Sequence, residues 1–285
     1  MISVKNLSYT YSNSKTKAID NISFHVNQKE IFGFLGPSGA GKSTTQKILI
    51  KLLDGYDGEV TVFNKPLKSQ NSSYYEDLGV GFELPNNYVK LSGLENLKFF
   101  QSFYKNKTMD LNSLLNSVGL FEHKDELVEN YSKGMQMRLN FIRALINDAK
   151  LLFFDEPTSG LDPVNSKIIQ DLIQEQKNKG KTIFITTHSM QIADNLCDRV
   201  AFIVDGKIVE LDTPKNLKLK YGSKSVIIEY FKSEQNIEMA TFNLDDYGNN
   251  PEFLHIIKTY NTRTIHSQET TLEDVFIQVT GRSLT

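Results

Sequence analysis

Cysteine, long apolar runs and targeting features are scarce or missing in this sequence. The single cysteine, Cys197, excludes an internal disulfide and agrees with a reducing compartment. Its neighbours Ile192 and Leu196 predict that it lies on a packed helix face. No apolar run approaches the roughly 18 residues of a membrane span, and the opening MISVKNLSY lacks the basic and apolar parts of a signal peptide. These absences predict a soluble chain in the cytoplasm.

An excess of positive charge is missing as well. Lysine and arginine number 32 against 34 for aspartate and glutamate, a formal net charge of −2. No global positive field is therefore expected to gather nucleic acid or an anionic membrane surface, and binding to either would need a local site. With 285 residues, the chain suits one large domain or one domain with a smaller appendix, and it can bury a sizeable core.

The segment GPSGAGKST has the spacing G-x-x-x-x-G-K-[ST] of a phosphate-binding loop, also called a Walker A motif. It follows an apolar run over 31–35 and precedes a helix-like run over 44–53, which is the context such a loop requires. Inward-pointing N–H groups and the positive helix end predict a polyphosphate ligand. Lys42 is expected to reach the β and γ phosphates, and the Ser43 hydroxyl to be one ligand of Mg²⁺. The residues expected to surround the phosphates are Gly36, Pro37, Ser38, Gly39, Ala40, Gly41, Lys42, Ser43 and Thr44.

Two carboxylates follow a buried-looking strand in LLFFDEP, which spans 151–157. The C-terminal edge of a strand is the usual place for ligands in an open α/β sheet. We expect Asp155 to hold Mg²⁺ through its water shell, and Glu156 to orient and polarise the attacking water near the γ phosphate. An ordinary acidic pair at a strand end is the alternative, and the position downstream of a phosphate loop favours the functional interpretation.

His188 ends another apolar strand, IFITTH. A histidine in this position is often only structural. The order of the motifs favours a catalytic role, because an imidazole beside the γ phosphate could donate a hydrogen bond to it and report its presence.

Apolar periodicity predicts a mainly parallel sheet built from alternating strands and helices. The region 3–62 is predicted to be rich in strands, and a helix is predicted over 164–179. KTIFITTH is predicted to be a short buried strand, and 199–211 to be a hairpin turned by Asp205 and Gly206. Helical spacing throughout 91–131 predicts an inserted helical subdomain, placed at about 91–140. The main domain is predicted to cover 1–218.

The region 219–285 is predicted to form a small α+β domain. SVIIEYF and TRTIHS are strand candidates, and NPEFLHIIKTY begins with the helix-start pair Asn250 and Pro251. In TTLEDVFIQVTG, Thr270 and Glu273 have capping-box spacing, and Gly281 is expected to end the helix.

Five segments occur in one order, GPSGAGKST, YSKGMQ, LLFFDEP, SGLD and TTHS, and in that order they resemble the nucleotide-binding subunit of an ATP-binding-cassette (ABC) transporter. The resemblance covers about residues 1–215. It implies an α/β P-loop NTPase cassette with an antiparallel β subdomain, a mainly parallel core sheet and a helical insert. It also implies a head-to-tail dimer, of identical or different subunits, with two ATP molecules between them.

The resemblance assigns further residues to the nucleotide. Ser132 and Gly134 in YSKGM, which we call the signature segment, would contact the γ phosphate held by the partner, although the common form LSGGQ differs from it at Lys133 and Met135. Asp162 in SGLD would also lie at the ATP, and its helix-capping position before Pro163 allows both roles. Similar proteins stack an aromatic residue on adenine near the position of Tyr11, which could equally be a strand tyrosine packed on the sheet.

Glu83 in GVGFELPNNY stands where similar ATPases usually have glutamine. A carboxylate binds metal more strongly than an amide but cannot donate a hydrogen bond, so Glu83 is a candidate for the nucleotide and its metal. A solvated loop glutamate is the alternative. Glutamate-containing loops resemble those of lantibiotic-immunity and bacitracin-resistance exporters.

The closing segment TLEDVFIQVTGRSL is similar to that of ATPases serving bacterial multidrug and antibiotic exporters, which pair with separate membrane permeases. The chain is therefore expected to hydrolyse ATP at the cytoplasmic face of the membrane and to energise export of a drug, antimicrobial peptide or lipid. The alternatives are a soluble ABC ATPase acting on ribosomes or DNA, and an importer ATPase. No nucleic-acid partner is expected.

Overall fold

The computed structural model describes residues 1–106, 108–222, 225–233, 236–268 and 270–282. These residues divide into two compact units, Met1–Thr213 and Pro214–Arg282. Among the described residues, no helix is both long and apolar enough to cross a membrane. The last two residues of the closing segment, Ser283 and Leu284, lie outside the described part of the chain.

The strands are β1 Ile2–Tyr9, β2 Ile19–Val26, β3 Ile31–Leu35, β4 Asp57–Val62, β5 Lys65–Pro66, β6 Leu78–Gly81, β7 Leu151–Asp155, β8 Thr182–Thr187, β9 Arg199–Val204, β10 Lys207–Asp212, β11 Ser225–Ser233, β12 Asn236–Asn243 and β13 Asn261–Gln268. The helices are α1 Lys42–Leu49, α2 Gly93–Gln101, α3 Leu111–Ser117, α4 Lys133–Arg143, α5 Pro163–Asn178, α6 Met190–Leu196, α7 Pro214–Tyr221, α8 Pro251–Thr259 and α9 Leu272–Thr280. Short 3₁₀ helices lie at Leu67–Ser69, Ser72–Asp77, Phe121–His123, Val128–Asn130 and Tyr247–Asn249.

The strand-rich N-terminal region forms an antiparallel sheet with the order β2-β1-β4-β5. In β2 the side chains of Ile22, Phe24 and Val26 are buried and alternate with exposed residues, as expected for a strand with one face on the core. The predicted antiparallel β subdomain is confirmed.

The main sheet has the order β10-β9-β3-β8-β7-β6 and is parallel except for the β9–β10 hairpin. Strands β3, β7 and β8 are buried along their whole length, as their apolar sequences require. Phe184 packs between Phe32, Phe34 and Phe153, with ring centroids 5.6–5.9 Å apart. Because neighbouring parallel strands end at the same edge, this core brings the ends of β3, β7 and β8 together.

The region between β6 and β7 is helical, as predicted. Helix α2 begins with a capping box formed by Ser92 and Glu95, and Leu97, Leu114 and Leu115 are buried. Helix α4 continues this region to Arg143, and the Ser132 side chain accepts a hydrogen bond from Met135 N at its start.

The second unit contains an antiparallel sheet with the order β12-β11-β13. One face of β11 packs with Phe242 and with Phe253 and Ile256 of α8. Strand β12 was not predicted from the sequence.

The predicted capping box of α9 was wrong by one residue. Thr271, not Thr270, caps this helix, and its partner is Asp274 rather than Glu273. Because α9 begins at Leu272, Thr271 is the residue whose side chain reaches the first free N–H groups, and both capping-box hydrogen bonds join it to Asp274. Gly281 ends the helix in the left-handed conformation, as predicted.

Candidate functional site

The phosphate loop connects the end of β3 to the start of α1. Gly41 precedes the helix with φ of 109°, a conformation that favours glycine. A Cβ on Gly36 would lie 2.1 Å from Ile203 O, and one on Gly41 would lie 2.6 Å from Ala18 O. Side chains are therefore excluded at both positions. Since glycine has no side chain to cap α1, the first N–H groups of the helix are free to receive an anion.

The loop, the carboxylates and the histidine surround one cavity of about 380 Å³. All of its lining residues come from the loop or from the ends of parallel strands and the segments that follow them. They are Ser38, Gly39, Gly41, Lys42, Ser43, Thr44, Glu83, Asp155, Glu156 and His188. Gly36, Pro37 and Ala40 lie behind this lining, where Ala40 N donates to Pro37 O and Ala40 O accepts from Gly206 N.

Lys42 is buried, and its Nζ donates hydrogen bonds to Gly36 O at 2.6 Å and Pro37 O at 3.0 Å. Burial lowers the pKa of Lys42, and the carboxylates of Glu156, Asp155 and Glu83 partly oppose that shift. The ammonium therefore lies within the field of all three carboxylates, at the floor of the cavity.

Asp155 is the last residue of β7, and two hydroxyl groups donate to its Oδ1. Ser43 Oγ lies 3.3 Å from that oxygen, and Thr186 Oγ1 also donates to it. The serine predicted to bind metal and the aspartate predicted to hold its water shell are thus direct neighbours.

Glu156 is buried and follows β7 with φ of 48°, a left-handed conformation that is costly for a residue with a side chain. Its carboxylate is held by two partners. Thr187 Oγ1 donates to Oε2 at 3.0 Å, and His188 Nδ1 lies 2.8 Å from Oε1. The structure therefore brings the predicted general base and the predicted γ-phosphate ligand into direct contact.

Glu83 follows β6 and is exposed at the cavity wall. Tyr11 lies beside the cavity: its hydroxyl is 3.1 Å from Thr44 Oγ1, and its ring packs edge-on against Tyr9. Because Tyr11 is 37% exposed, part of its ring remains accessible to a ligand.

Of the residues predicted to contact ATP, Ser132, Gly134 and Asp162 lie outside this cavity lining. Ser132 caps α4 and Asp162 caps α5. Hydrogen bonds from Asn165 hold the pKa of the Asp162 carboxyl below its usual value. The two segments are adjacent, since a Cβ on Gly134 would lie 3.7 Å from Leu161 Cδ2.

Sequence reasoning missed the roles of Thr186 and Thr187. Both belong to the TTHS segment, but only its histidine was assigned a function. The sequence signal was a pair of hydroxyl side chains at the end of the apolar run IFITTH, which a parallel sheet places at the same edge as the carboxylates. In the structure Asp155 lies opposite Thr186 in the parallel pair β7–β8.

Comparison with known proteins agrees with this geometry. The family model for "ABC transporter" matches residues 19–159, and that for "Fluoroquinolone efflux ABC transporter C-terminal domain" matches residues 224–269. A fluoroquinolones export ATP-binding protein of Mycobacterium tuberculosis (strain ATCC 25618 / H37Rv) is 51% identical over 100% of this chain and 95% of its own length. The Nod factor export ATP-binding protein I of Rhizobium meliloti (strain 1021) is 33% identical over 97% of this chain and 88% of its own.

Solved structures give the same result. The ATP-binding subunit of an ABC transporter superposes with a TM-score of 0.70 at 26% identity, over 78% of this chain and 93% of that one. A dimeric ATP-binding cassette in a post-hydrolysis state, bound to ADP and Pi, superposes with a TM-score of 0.67 at 26% identity, over 75% and 98%.

The chain belongs to the ATP-binding subunits of ABC transporters. Within that family it is an exporter ATPase, as the sequence predicted. The predicted cassette fold, the ATPase class and the binding of ATP are confirmed by the same comparisons.

Proposed function

We propose that this chain drives export of fluoroquinolone-like compounds by hydrolysing MgATP between two copies of itself. The support for the cargo is the 51% identity to proteins named for fluoroquinolone export, over the whole chain, together with the matching C-terminal family model. This class is narrower than the drug, peptide or lipid that the sequence alone allowed.

In the proposed site, Lys42 leaves its two carbonyl partners and binds the β and γ phosphates, while the N–H groups at the start of α1 receive the remaining oxygens. Among the described residues, no group of three or more His, Cys, Asp or Glu side chains could hold a metal by itself. Ser43 and Asp155 instead offer the hydroxyl and carboxylate typical of Mg²⁺ that is shared with phosphates and water, and Glu83 is a third candidate. Bound there, Mg²⁺ would neutralise developing phosphate charge.

Glu156 is the proposed general base. Its carboxylate accepts the proton of the attacking water, and Thr187 holds the second carboxylate oxygen in place. His188 is 56% exposed, lines the cavity and lies 2.8 Å from Glu156, so it can donate to the γ phosphate without leaving the site.

The second half of the site comes from another copy of the chain. Ser132 and Gly134 are proposed to reach the γ phosphate held by the partner, and Asp162 to lie near it. In support, all three residues lie outside the cavity of their own chain, and a structural neighbour is dimeric.

The proposed membrane partner is a separate permease at the cytoplasmic face. A groove of about 920 Å³ lies beside the segment 82–88, which carries Glu83 and which we call the Glu83 segment, and Tyr88, Phe100 and Phe103 form part of its lining. Tyr88 is 50% exposed and Phe103 62% exposed, and exposed apolar patches of this kind mark interaction sites. We propose that an apolar permease segment docks there.

The cargo proposal is tested in the cells that encode this chain, where Glu156→Gln replaces the natural residue. Cells with the variant should accumulate more of a fluorescent fluoroquinolone than the parent cells do. The control is Glu175→Gln, which removes an exposed carboxylate on α5 that pairs with Lys179 one helical turn away. Equal accumulation in all three strains would reject fluoroquinolones as cargo.

A further inference from the structure

The segment 82–88, which carries Glu83, is hydrogen-bonded to two helices of the helical region, α4 and α2. The strongest contacts come from α4. Asn140, which is 3% exposed, donates from Nδ2 to Phe82 O at 2.7 Å. Arg143 donates to Asn140 Oδ1 at 2.6 Å and to Asn86 O at 2.8 Å. Both the nitrogen and the oxygen of the Asn140 amide are therefore hydrogen-bonded, and Arg143 connects Asn140 to Asn86.

Further contacts extend the attachment along the segment. Asn87 Nδ2 donates to Gln136 O at 3.0 Å, one helical turn before Asn140. From α2, Asn96 accepts from Tyr88 N at 2.8 Å and donates to Tyr88 O at 2.9 Å. Helix α4 thus holds the segment at Phe82, Asn86 and Asn87, and α2 holds it at Tyr88.

The Arg143 side chain is itself fixed. Its guanidinium lies over the ring of Phe100 on α2, 4.5 Å from the ring centroid. A planar fork that stacks on a ring and donates in two directions cannot be replaced by a lysine ammonium without loss of geometry. Arg143 therefore sets the position of the Asn140 amide rather than simply adding charge.

We propose that Asn140 and Arg143 are positioning residues for Glu83. The carbonyl bound by Asn140 belongs to the peptide that immediately precedes Glu83, so fixing that carbonyl fixes the starting point of the Glu83 side chain at the cavity. The inference rests on the proposed role of Glu83 at the nucleotide metal.

The same contacts connect Glu83 to the signature segment. Helix α4 begins directly after Ser132 and carries Gln136, Asn140 and Arg143 along one face at spacings of four and three residues. Helix α4 therefore begins at the signature segment and contacts the Glu83 segment along the same face.

The test compares Asn140→Ala with Asn147→Ala in the full-length chain. Asn147 is a matched control because it is also a buried amide, 5% exposed, and donates to Leu78 O at 2.7 Å and Glu76 O at 3.0 Å, away from Glu83. The readouts are thermal stability and the affinity for Mn²⁺, a spectroscopic substitute for Mg²⁺, measured by electron paramagnetic resonance with a non-hydrolysable ATP analogue. Both variants should lose stability, but only Asn140→Ala should weaken Mn²⁺ binding, by about five-fold for one lost hydrogen bond.

Adding Glu83→Gln closes a double-mutant cycle. If Asn140 acts through Glu83, then Asn140→Ala should not weaken Mn²⁺ binding further when Glu83→Gln is present. A full additional loss in the double variant, or no loss in Asn140→Ala alone while Glu83→Gln has an effect, would overturn the positioning role. No effect of Glu83→Gln would instead reject the metal role of Glu83, and the inference with it. If Asn140→Ala does not fold, Arg143→Lys enters the same cycle, with a smaller loss expected in the same direction.

Discussion

Removal of the Thr187 hydroxyl should lower the rate of ATP hydrolysis about ten-fold. Thr187 Oγ1 donates to Glu156 Oε2 at 3.0 Å and accepts from Ser189 N at 3.0 Å. A hydrogen bond to a charged group contributes about 1.5–3 kcal/mol, which corresponds to roughly ten- to hundred-fold in rate. Since His188 still holds the other carboxylate oxygen, we expect Thr187→Val to fall at the lower end, about ten-fold in kcat.

Thr182→Val is a control on the same strand. Thr182 is fully buried, and its hydroxyl accepts from Lys29 N at 2.9 Å. Both substitutions therefore remove an acceptor from a backbone N–H and should cost similar stability, about 1–3 kcal/mol. Only Thr187→Val removes a donor to the proposed base.

The assay measures kcat at saturating ATP, ATP affinity and stability for the parent chain and for both valine variants. Thr187→Val should lose turnover with unchanged ATP affinity, Thr182→Val should keep both, and Thr187→Ser should recover most of the loss. Equal turnover in the two valine variants, or a loss of ATP affinity that accounts for the slower rate, would refute the claim that Thr187 acts through Glu156.

Two further predictions concern the composite site and the signature segment. Lys42→Ala should weaken ATP binding at least ten-fold, because a charged donor to phosphate is lost. Mixing this variant with Ser132→Arg subunits should restore one working site, and with it part of the ATPase activity. A mixture no more active than either variant alone would count against shared sites. Burial, with help from Glu126 and Asp125, raises the pKa of Tyr131 from 10.0 to about 12, so the folded state holds this proton more tightly than the unfolded state. The resulting stability is present below pH 10 and is lost as pH rises towards 12. Denaturant unfolding at a series of pH values should show that Tyr131→Phe loses less free energy of unfolding between pH 10 and 12 than the parent chain does. Identical pH profiles would contradict the raised pKa.

Local signals were enough to predict the phosphate loop, the strand that delivers the carboxylates and the β9–β10 hairpin. The loop is fixed by glycine chemistry and by its flanking strand and helix. The hairpin depends on Asp205 and Gly206, which both adopt positive φ. Such features depend on residues that are close together in the sequence, so a sequence pattern is enough to predict them.

Features that depend on distant partners were not predicted. Strand β12 buries little more than Phe242, so its sequence lacks a clear apolar period. The choice between Thr270 and Thr271 as the cap of α9 depends on where the helix begins, at Leu272, and two adjacent threonines in the sequence do not show that. The attachment of the Glu83 segment joins residues 58 positions apart, and no local pattern encodes that contact. Each of these outcomes was set by packing that forms only in the folded chain.

The most direct test of the account is the mass and turnover of Glu156→Gln with MgATP. If Glu156 activates water at a site shared by two copies, the variant should bind ATP, hydrolyse it at least a hundred-fold more slowly, as expected for loss of a general base, and elute as a dimer of twice 32.4 kDa. Light scattering after size exclusion, with and without ATP, measures that mass. Near-normal hydrolysis by the variant, or an ATP-bound variant that remains at 32.4 kDa, would contradict the account.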